Sequence, residues 1–467
     1  MGSGRQAFHL CLTPQTVPYD LPMFVLYEAL LYLAFIVAAP YFLLTGALRS
    51  KYLANAKARL GHYHHAAAAN DIWIHAVSVG EVLVSRPLVE RIVASRPETS
   101  IVVTTTTLTG QVIAHRLFPA ATVTSFPFDF SFAVRRFLDH HQPSVMTIVE
   151  TEIWPNVTRL ATDRGITSLL VNGRISDRSF AKYRAARLFL GPVLRRFDAI
   201  LAREETDRTR FIAMGASANR VEVCGNIKFD FVPENKELPF LSEMQRIARG
   251  RPLFVAGSTM EGEDEAIISV LSTFIHDLGC FIVLAPRRPE RFDVVAGLLR
   301  DNGIRFVRRT EMTEVPVERS DVRSLPSQAS KAGGGHGGGV DVLLLDSIGE
   351  LASVYHHAAA AFVGGSLVPV GGHNPIEPVA AGAPVAFGPH MSNFREIAST
   401  FVEEQAAMEV RNVDDLVAFV REMIEDDEAR NRIVSRGRET VDNNKGAADF
   451  TAARILEALD ASRSARR

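Results

Sequence analysis

Short runs of apolar and β-branched residues, each followed in most cases by a stretch with helical periodicity, recur along the 467-residue chain, and this alternation restricts it to an α/β fold. In the first half "DIWIHAVS", "SIVVTTTT", "SVMTIVE", "TSLLVN", "DAILA" and "RVEVCG" read as strands. The pattern restarts near residue 251 with "RPLFVAG", "CFIVLAP", "VDVLLLD", "AAAFVGG" and "APVAFG". Strands that alternate with helices predict a parallel, doubly wound sheet, and the restart predicts two of them facing each other across a cleft. The boundary falls in "DFVPENKELPF", with its two prolines and mixed charge, so residues 49–235 and 236–467 form the two expected domains. The connector "GHYHHAAAAND" reads as a solvated linker, and the insertion "SQASKAGGGHGGG" with His336 as a flexible surface loop. Ligands of doubly wound sheets bind beyond the carboxyl ends of the strands, so the motifs that matter should follow strands directly.

Composition narrows the function classes. With 47% hydrophobic and 22% charged residues and a net charge of -2, the chain has the makeup of a folded protein and no general excess of positive charge for nucleic acid. Cys11, Cys224 and Cys280 are far apart and form no CxxC or Cys/His spacing, which argues against a disulfide framework and a structural zinc and for a reducing compartment. Residues 1–48 stand apart. "MFVLYEALLYLAFIVAAPYFLLTGAL", residues 23–48, holds one charge, Glu28, and is long enough to cross a bilayer core. A membrane-anchor helix is the expectation, with Pro40 leaving open whether it spans or lies half-embedded. Arg49, Lys51, Lys57 and Arg59 follow it and place the remainder on the cytoplasmic side.

The polar motifs do follow strands. In "IHAVSVGEVLVSRPLVERI" the strand breaks at Gly80 and a helix begins, which puts Glu81 at the junction; a helix N-terminus favours its ionised form, whereas a general base needs a raised pKa. "IVETEIWPN" sets Glu150 and Glu152 after a strand, close enough that at least one needs a positive partner; Glu152 reads as a helix cap, and Pro155 opens the helix. Asn172, Arg174, Ser176, Arg178 and Lys228 follow the next strands and suit a substrate with phosphates or carboxylates. In the second half Arg287, Arg288 and Arg291 do the same, as do Ser347, Gly349 and Glu350. The glutamates of "VAGSTMEGEDE" read as first-turn helix charges. "FVGGSLVPVGGHNPIEP" is too rich in glycine and proline for a long element; its breakers shape a pocket in which Asn374 and Pro375 start a short helix and Glu377 accepts hydrogen bonds from sugar hydroxyls. No GxxxxGK[ST], HExxH, GxSxG or dinucleotide-binding GxGxxG occurs.

Taken in order, "HAVSVGE", "ETEIWPN", "NGRISDRS", "GNIKFD", "AGSTMEGE", "PRRPERF" and "FVGGSLVPVGGHNPIEP" resemble the Kdo transferases, membrane-associated enzymes that move 3-deoxy-D-manno-octulosonic acid (Kdo) from CMP-Kdo to the lipid A precursor lipid IV(A) in lipopolysaccharide core biosynthesis. The resemblance implies a GT-B architecture of two Rossmann-like domains, acceptor on the first and donor on the second, at the bacterial inner membrane, with no metal or other cofactor. It implies that Glu81 is the general base and that Glu150 and Lys228 assist the transition state. CMP would be held by Pro286 and Arg287, by Ile348, Gly349 and Glu350, and by Asn374, Pro375, Ile376 and Glu377. Arg288 replaces the histidine of the commoner "PRHPER", and Ile348 stands where methionine is frequent. Two alternatives stay open on residues alone: another two-domain transferase or epimerase that takes UDP-sugars, and a membrane-tethered sugar-binding protein without catalysis.

Overall fold

The computed structural model describes residues 21–44, 55–63, 67–230, 237–312 and 339–465. Cys11, Arg49, Lys51, positions 231–236 of the expected boundary and most of the glycine-rich insertion, with His336, lie outside them. The chain divides into two units, Met1–Phe231 with Asn444–Arg467, and Val232–Asn443.

The first unit is built on seven parallel strands: β1 (Ile72–His75), β2 (Ile101–Thr105), β3 (Thr122–Ser125), β4 (Val145–Val149), β5 (Thr167–Gly173), β6 (Ala199–Ala202) and β7 (Val221–Val223). They lie in the order β3-β2-β1-β4-β5-β6-β7. The second repeats the plan with β8 (Leu253–Thr259), β9 (Phe281–Pro286), β10 (Phe306–Arg308), β11 (Val342–Leu344), β12 (Ala360–Val363), β13 (Val385–Phe387) and β14 (Met408–Glu409), ordered β10-β11-β9-β8-β12-β13-β14 and again parallel. Every strand read from the sequence is present. The three that were not read, β3, β10 and β14, each sit at a sheet edge, where less of the strand is buried and the apolar signature fades. In both sheets the winding reverses next to the first strand, between β1 and β4 and between β8 and β12. Those two reversals are where the ends of neighbouring strands part and leave room for a ligand.

Helices α1 (Leu21–Leu44), α2 (Val79–Ser95) and α3 (Pro155–Asp163) belong to the first unit, and α4 (Glu263–Ser269), α5 (Ile376–Ala380) and α6 (Arg395–Glu403) to the second. The last helix, α7 (Ala447–Ala465), corrects the expected domain limits, because it belongs to the first unit rather than to the second. Its buried Ala448, Ala452, Ile455 and Leu459 recur at helical spacing and join one core with Val82, Leu88 and Ile92 of α2 and Ile72 and Val145 of the sheet. Asp230 fixes its start by accepting hydrogen bonds from the backbone N–H groups of Gly446 and Ala448, at 2.8 and 2.9 Å.

The N-terminal helix is pinned on one side. Phe24 is buried beneath the guanidinium groups of Arg159 and Arg196, the Tyr27 hydroxyl donates to Asp129 at 2.8 Å, and Glu28 accepts from the backbone N–H and the hydroxyl of Ser131. The one charge of the apolar stretch is therefore consumed in docking. On its other side Val25, Leu26, Leu30, Leu33, Ile36 and Val37 are exposed. Among the described residues, no helix is long and apolar enough to cross a membrane.

Truncating a fully buried core side chain costs its transfer energy and leaves a cavity, so Ile455→Ala should destabilise the first unit by about 2–5 kcal/mol. Denaturant unfolding followed by circular dichroism checks this; an unchanged midpoint would mean that α7 does not complete that core.

Candidate active site

In the first unit the switch point gathers carboxylates from both flanking strands. The strand β1 ends at His75 and α2 begins at Val79, so the break falls at residues 76–78 and Gly80 lies within the helix's first turn rather than at the break. Glu81 sits on that first turn and folds back to accept from the backbone N–H of Val77 and, at 3.4 Å, from the Ser78 hydroxyl. Burial and the nearby charges of Glu150 and Glu152 outweigh these bonds and push its carboxyl up to about 7. The objection that a helix N-terminus would keep Glu81 too acidic for a base is thus met by desolvation and like charge.

Glu150 follows β4 in a left-handed conformation, φ +62°, rare for a residue with a side chain. That turn ends the strand alternation and sends the carboxylate to Arg203, 2.6 Å away, and to Lys228, 3.7 Å away. Burial would raise its pKa, but Arg203, Lys228 and Arg174 together hold it below the usual range. The support is layered: Arg203 also donates to the Asn172 carbonyl, and the Asn172 side chain accepts from the Ile227 N–H next to Lys228. Glu152 does not cap a helix as expected. Asp129 performs that task, accepting from the N–H groups of Asn156 and Val157, while burial and the charge of Glu150 raise the Glu152 carboxyl. Ser176 is a cap as well, accepting from Ser179 N–H. Arg203 was missed by sequence reasoning, although it directly follows the strand "DAILA" in the same way that Arg174 and Lys228 follow theirs.

In the second unit the switch point is tied by Glu263. This fully buried carboxylate, at the start of α4 after β8, accepts from Met260 N–H and, beyond β12, from the N–H groups of Gly365, Ser366 and Leu367 at 2.6–3.0 Å. It is a clasp between two strand ends, not the helix-dipole charge expected of it. Gly364 must be glycine there, since a Cβ would lie 2.4 Å from the Ser258 carbonyl oxygen. The clasped turn in turn receives Gly372 N–H on the Gly365 carbonyl and His373 N–H on that of Gly364. Asn374 then caps α5 through Ile376 N–H and donates to Glu377 at 3.2 Å. Burial raises the Glu377 carboxyl against the pull of Asn374 and Arg287, and burial with Arg287 and Arg288 lowers His373 to about 4, leaving it neutral. Pro286 ends β9 and Arg287 follows it, bonded through its N–H to the Thr259 carbonyl. The charge of Arg287 is felt by both His373 and Glu377, across two of the three segments expected to hold CMP. The third, Ile348 to Glu350, follows β11; Ile348 is exposed and Glu350 pairs with Arg309 at 2.9 Å. Arg291 is taken by Asp264 and Glu265.

Residues 54–231 match the family model of 3-deoxy-D-manno-octulosonic-acid transferase, and this stretch carries Glu81, Glu150 and Lys228. A 3-deoxy-D-manno-octulosonic acid transferase of Haemophilus influenzae is 33% identical over 352 residues, covering 74% of this chain and 78% of the relative. The chain belongs to the Kdo transferase family. It is accordingly a glycosyltransferase, and its two doubly wound units are of the GT-B class. Solved structures agree on the fold: a glycosyltransferase from Rickettsia africae has a TM-score of 0.52 at 11% identity, covering 84% of this chain and 98% of its own. A UDP-GlcNAc 2-epimerase from Neisseria meningitidis also has a TM-score of 0.52, at 9% identity, with 83% and 99% covered. A transferase and an epimerase fit the same fold equally well, so in this Kdo transferase family member the site residues carry the functional argument.

Glu263→Gln would set an amide N–H₂ against backbone donors that now share a carboxylate. It should weaken CMP binding by about tenfold or more, with little change in acceptor KM, as read by calorimetry and initial rates. Undiminished CMP affinity would show that the clasp does not shape the nucleotide segment.

Proposed function

We propose that the chain is an inverting transferase that moves Kdo from CMP-Kdo to lipid IV(A), in lipopolysaccharide core biosynthesis at the cytoplasmic face of a bacterial inner membrane. The observation that carries this reading is Glu81: a carboxylate at the switch point of the first unit, within the stretch that matches the family model, with its pKa raised to about 7. A base of that strength is half ionised near neutrality and still able to take a proton from a sugar hydroxyl.

In the proposed reaction the acceptor hydroxyl oxygen forms a bond to the anomeric carbon of Kdo, and the bond from that carbon to the phosphate oxygen breaks. CMP leaves with the electron pair, and the hydroxyl proton goes to Glu81. Attack from the face opposite CMP inverts the anomeric centre and needs no enzyme nucleophile. Glu150 and Lys228 assist the transition state from the same switch point, their geometry fixed by Arg203. The donor is anionic, and Arg287 beside Glu377 supplies the charge to receive its phosphate, with Asn374 and Glu377 placed for hydroxyls.

A lipid acceptor gives the N-terminal helix a role. Its docked side belongs to the first unit, and its open side offers Leu26, Leu30, Leu33 and Val37 to the acyl region of a bilayer, an interfacial seat rather than a crossing. Lys57 is exposed and suited to anionic head groups, whereas Arg59 donates to the Phe126 carbonyl and covers the Phe128 ring.

Purified protein in detergent, given CMP-Kdo and tetra-acylated lipid A precursor, should add Kdo to the lipid, and mass analysis of the product counts the units added. Folded, CMP-binding protein that adds none would refute the acceptor assignment. Below about pH 7 kcat/KM should fall tenfold per unit as Glu81 gains its proton, and Glu81→Gln should reduce turnover about a hundred- to ten-thousand-fold. Wild-type turnover in a folded Glu81→Gln enzyme would end the base assignment. Replacing Leu26, Leu30 and Leu33 together by serine should release the protein from liposomes while turnover in detergent persists; unchanged sedimentation with vesicles would exclude the interfacial seat.

A further inference from the structure

The turn after β11 that is expected to meet the nucleotide hangs between two anchored acids. Asp346, at its near end, is buried and accepts from the Thr310 N–H at 2.9 Å, the Thr310 hydroxyl at 2.6 Å and the Arg308 Nε at 2.6 Å. Glu350, at its far end, accepts from the Arg309 guanidinium at 2.9 Å with Oε1 and from the Ser347 hydroxyl with Oε2. Both anchors lead to one short segment, Arg308 to Thr310, at the end of β10. Between them Ile348 is exposed, and Gly349 has φ +91°, a left-handed conformation that an L side chain rarely adopts, with nothing within 4 Å of the place a Cβ would take. The turn owes its shape to its ends.

Arg309 is committed to that task. Its guanidinium lies 4.4 Å from the ring centre of Phe240, a buried residue of Pro239–Ala248, the first helix of the second unit. Glu350 is the one acceptor of its side chain among the described residues, and its Nε has no partner there. The two side chains are only 13% and 17% exposed, so this is not one of the solvated surface pairs that contribute little. With both oxygens taken, the Glu350 carboxylate holds the turn. Without Arg309 the same carboxylate would be a half-buried, unanswered charge that repels an anionic ligand at the turn.

We propose that Arg309 is a positioning residue for the nucleotide: by pairing with Glu350 it neutralises that carboxylate and fixes the turn from Ser347 to Gly349 in the form that receives CMP. Glu350 then serves the nucleotide as an anchor of the turn, and Phe240 ties the same arginine to the helix that opens the unit. The inference rests on the reading that the second unit binds CMP-Kdo through this turn.

The test uses the full-length protein, with CMP affinity from calorimetry, KM and kcat with CMP-Kdo from initial rates, and the thermal midpoint as the check on folding. Arg309→Met keeps an apolar stem over Phe240 and removes the charge. It should weaken CMP binding and raise the CMP-Kdo KM by about tenfold, with kcat and the acceptor KM within about twofold, and Arg309→Lys should recover part of the loss. Adding Glu350→Gln to Arg309→Met removes the stranded charge and should recover part as well. Unchanged CMP affinity in Arg309→Met overturns the proposal. A double variant as weak as Arg309→Met, or weaker, overturns it too, since one of the two side chains would then touch the nucleotide directly. Hydrogen exchange on the unsubstituted protein depends on no variant folding: CMP should slow exchange in residues 309–312 together with residues 347–351, and protection confined to the second stretch would show that the tie carries nothing to the turn. Failure of the underlying reading looks different, because the unsubstituted protein would bind no CMP and neither stretch would be protected.

Discussion

A carboxylate removed from water must be answered by cations or by hydrogen-bond donors, and the two units of this chain meet that requirement differently at the same topological place. At the β8/β12 reversal Glu263 is answered entirely by backbone N–H groups from both sides, so the parted strand ends are bound together and the loop beyond β12 has one shape. Gly372 and His373, which lead into the segment from Asn374 to Glu377 expected to hold CMP, take their position from this clasp through the Gly365 and Gly364 carbonyls. At the β1/β4 reversal the answer is divided. Glu150 has Arg203 and Lys228, and Glu81 has only a backbone N–H and a distant hydroxyl against burial and two like charges. One carboxylate is thereby kept ionised and the other is kept near its point of protonation.

The alternation of strand and helix was legible in the sequence because central parallel strands are buried on both faces and leave unbroken apolar runs, as "CFIVLAP" does. The edge strands were not, because "TVTS" and Met408–Glu409 bury too little to stand out. The positions of Glu81, Glu150 and Lys228 followed from one rule, that polar residues after strands line the ligand face. That rule selects positions but not partners. It treated Ser176 and Arg291 like Glu150 and Lys228, although Ser176 caps a helix and Arg291 is consumed by two acids, and Arg203, which pairs with Glu150, was passed over in an equivalent place. The role of Glu263 was hidden for a related reason. Four acids crowd "MEGEDE", and only tertiary structure shows that one turns inward to another loop while Glu265 stays at the helix start and bonds Gly262 N–H. The return of α7 to the first unit had no local signal either, since an amphipathic helix carries no address for the core it will join.

Like reasoning separates the N-terminal helix from an ordinary transmembrane segment. A single glutamate in 26 apolar residues reads as a tolerable flaw in a span. In the fold it is one of the helix's fixed points, bonded to Ser131 beside Tyr27 on Asp129, and Asp129 in turn caps α3 directly after the Glu150–Trp154 turn. The helix is thus mechanically continuous with the segment that carries Glu150. The helix with the exposed apolar face and the segment that carries Glu150 thus share one support.

Charges that the fold leaves unanswered then acquire meaning by their sign. In the first unit Glu81 is a part-buried carboxylate that has no ion pair among the described residues and is raised by burial and by Glu150 and Glu152. In the second unit, arginines next to the donor segment stand without an acid. Arg288 and Arg395 have no ion pair among the described residues, and Arg287 reaches Glu377 only through its field. A chain that satisfies Asp264, Glu265, Asp341 and Asp346 with arginines nearby does not lack the means to pair charges. In the proposed transfer Glu81 takes up the proton and the second unit holds the departing anion. An anionic leaving group asks for a cationic position, and the exposed Arg287, whose charge acts on Glu377 beyond the loop that Glu263 holds in place, offers one in the proposed reaction.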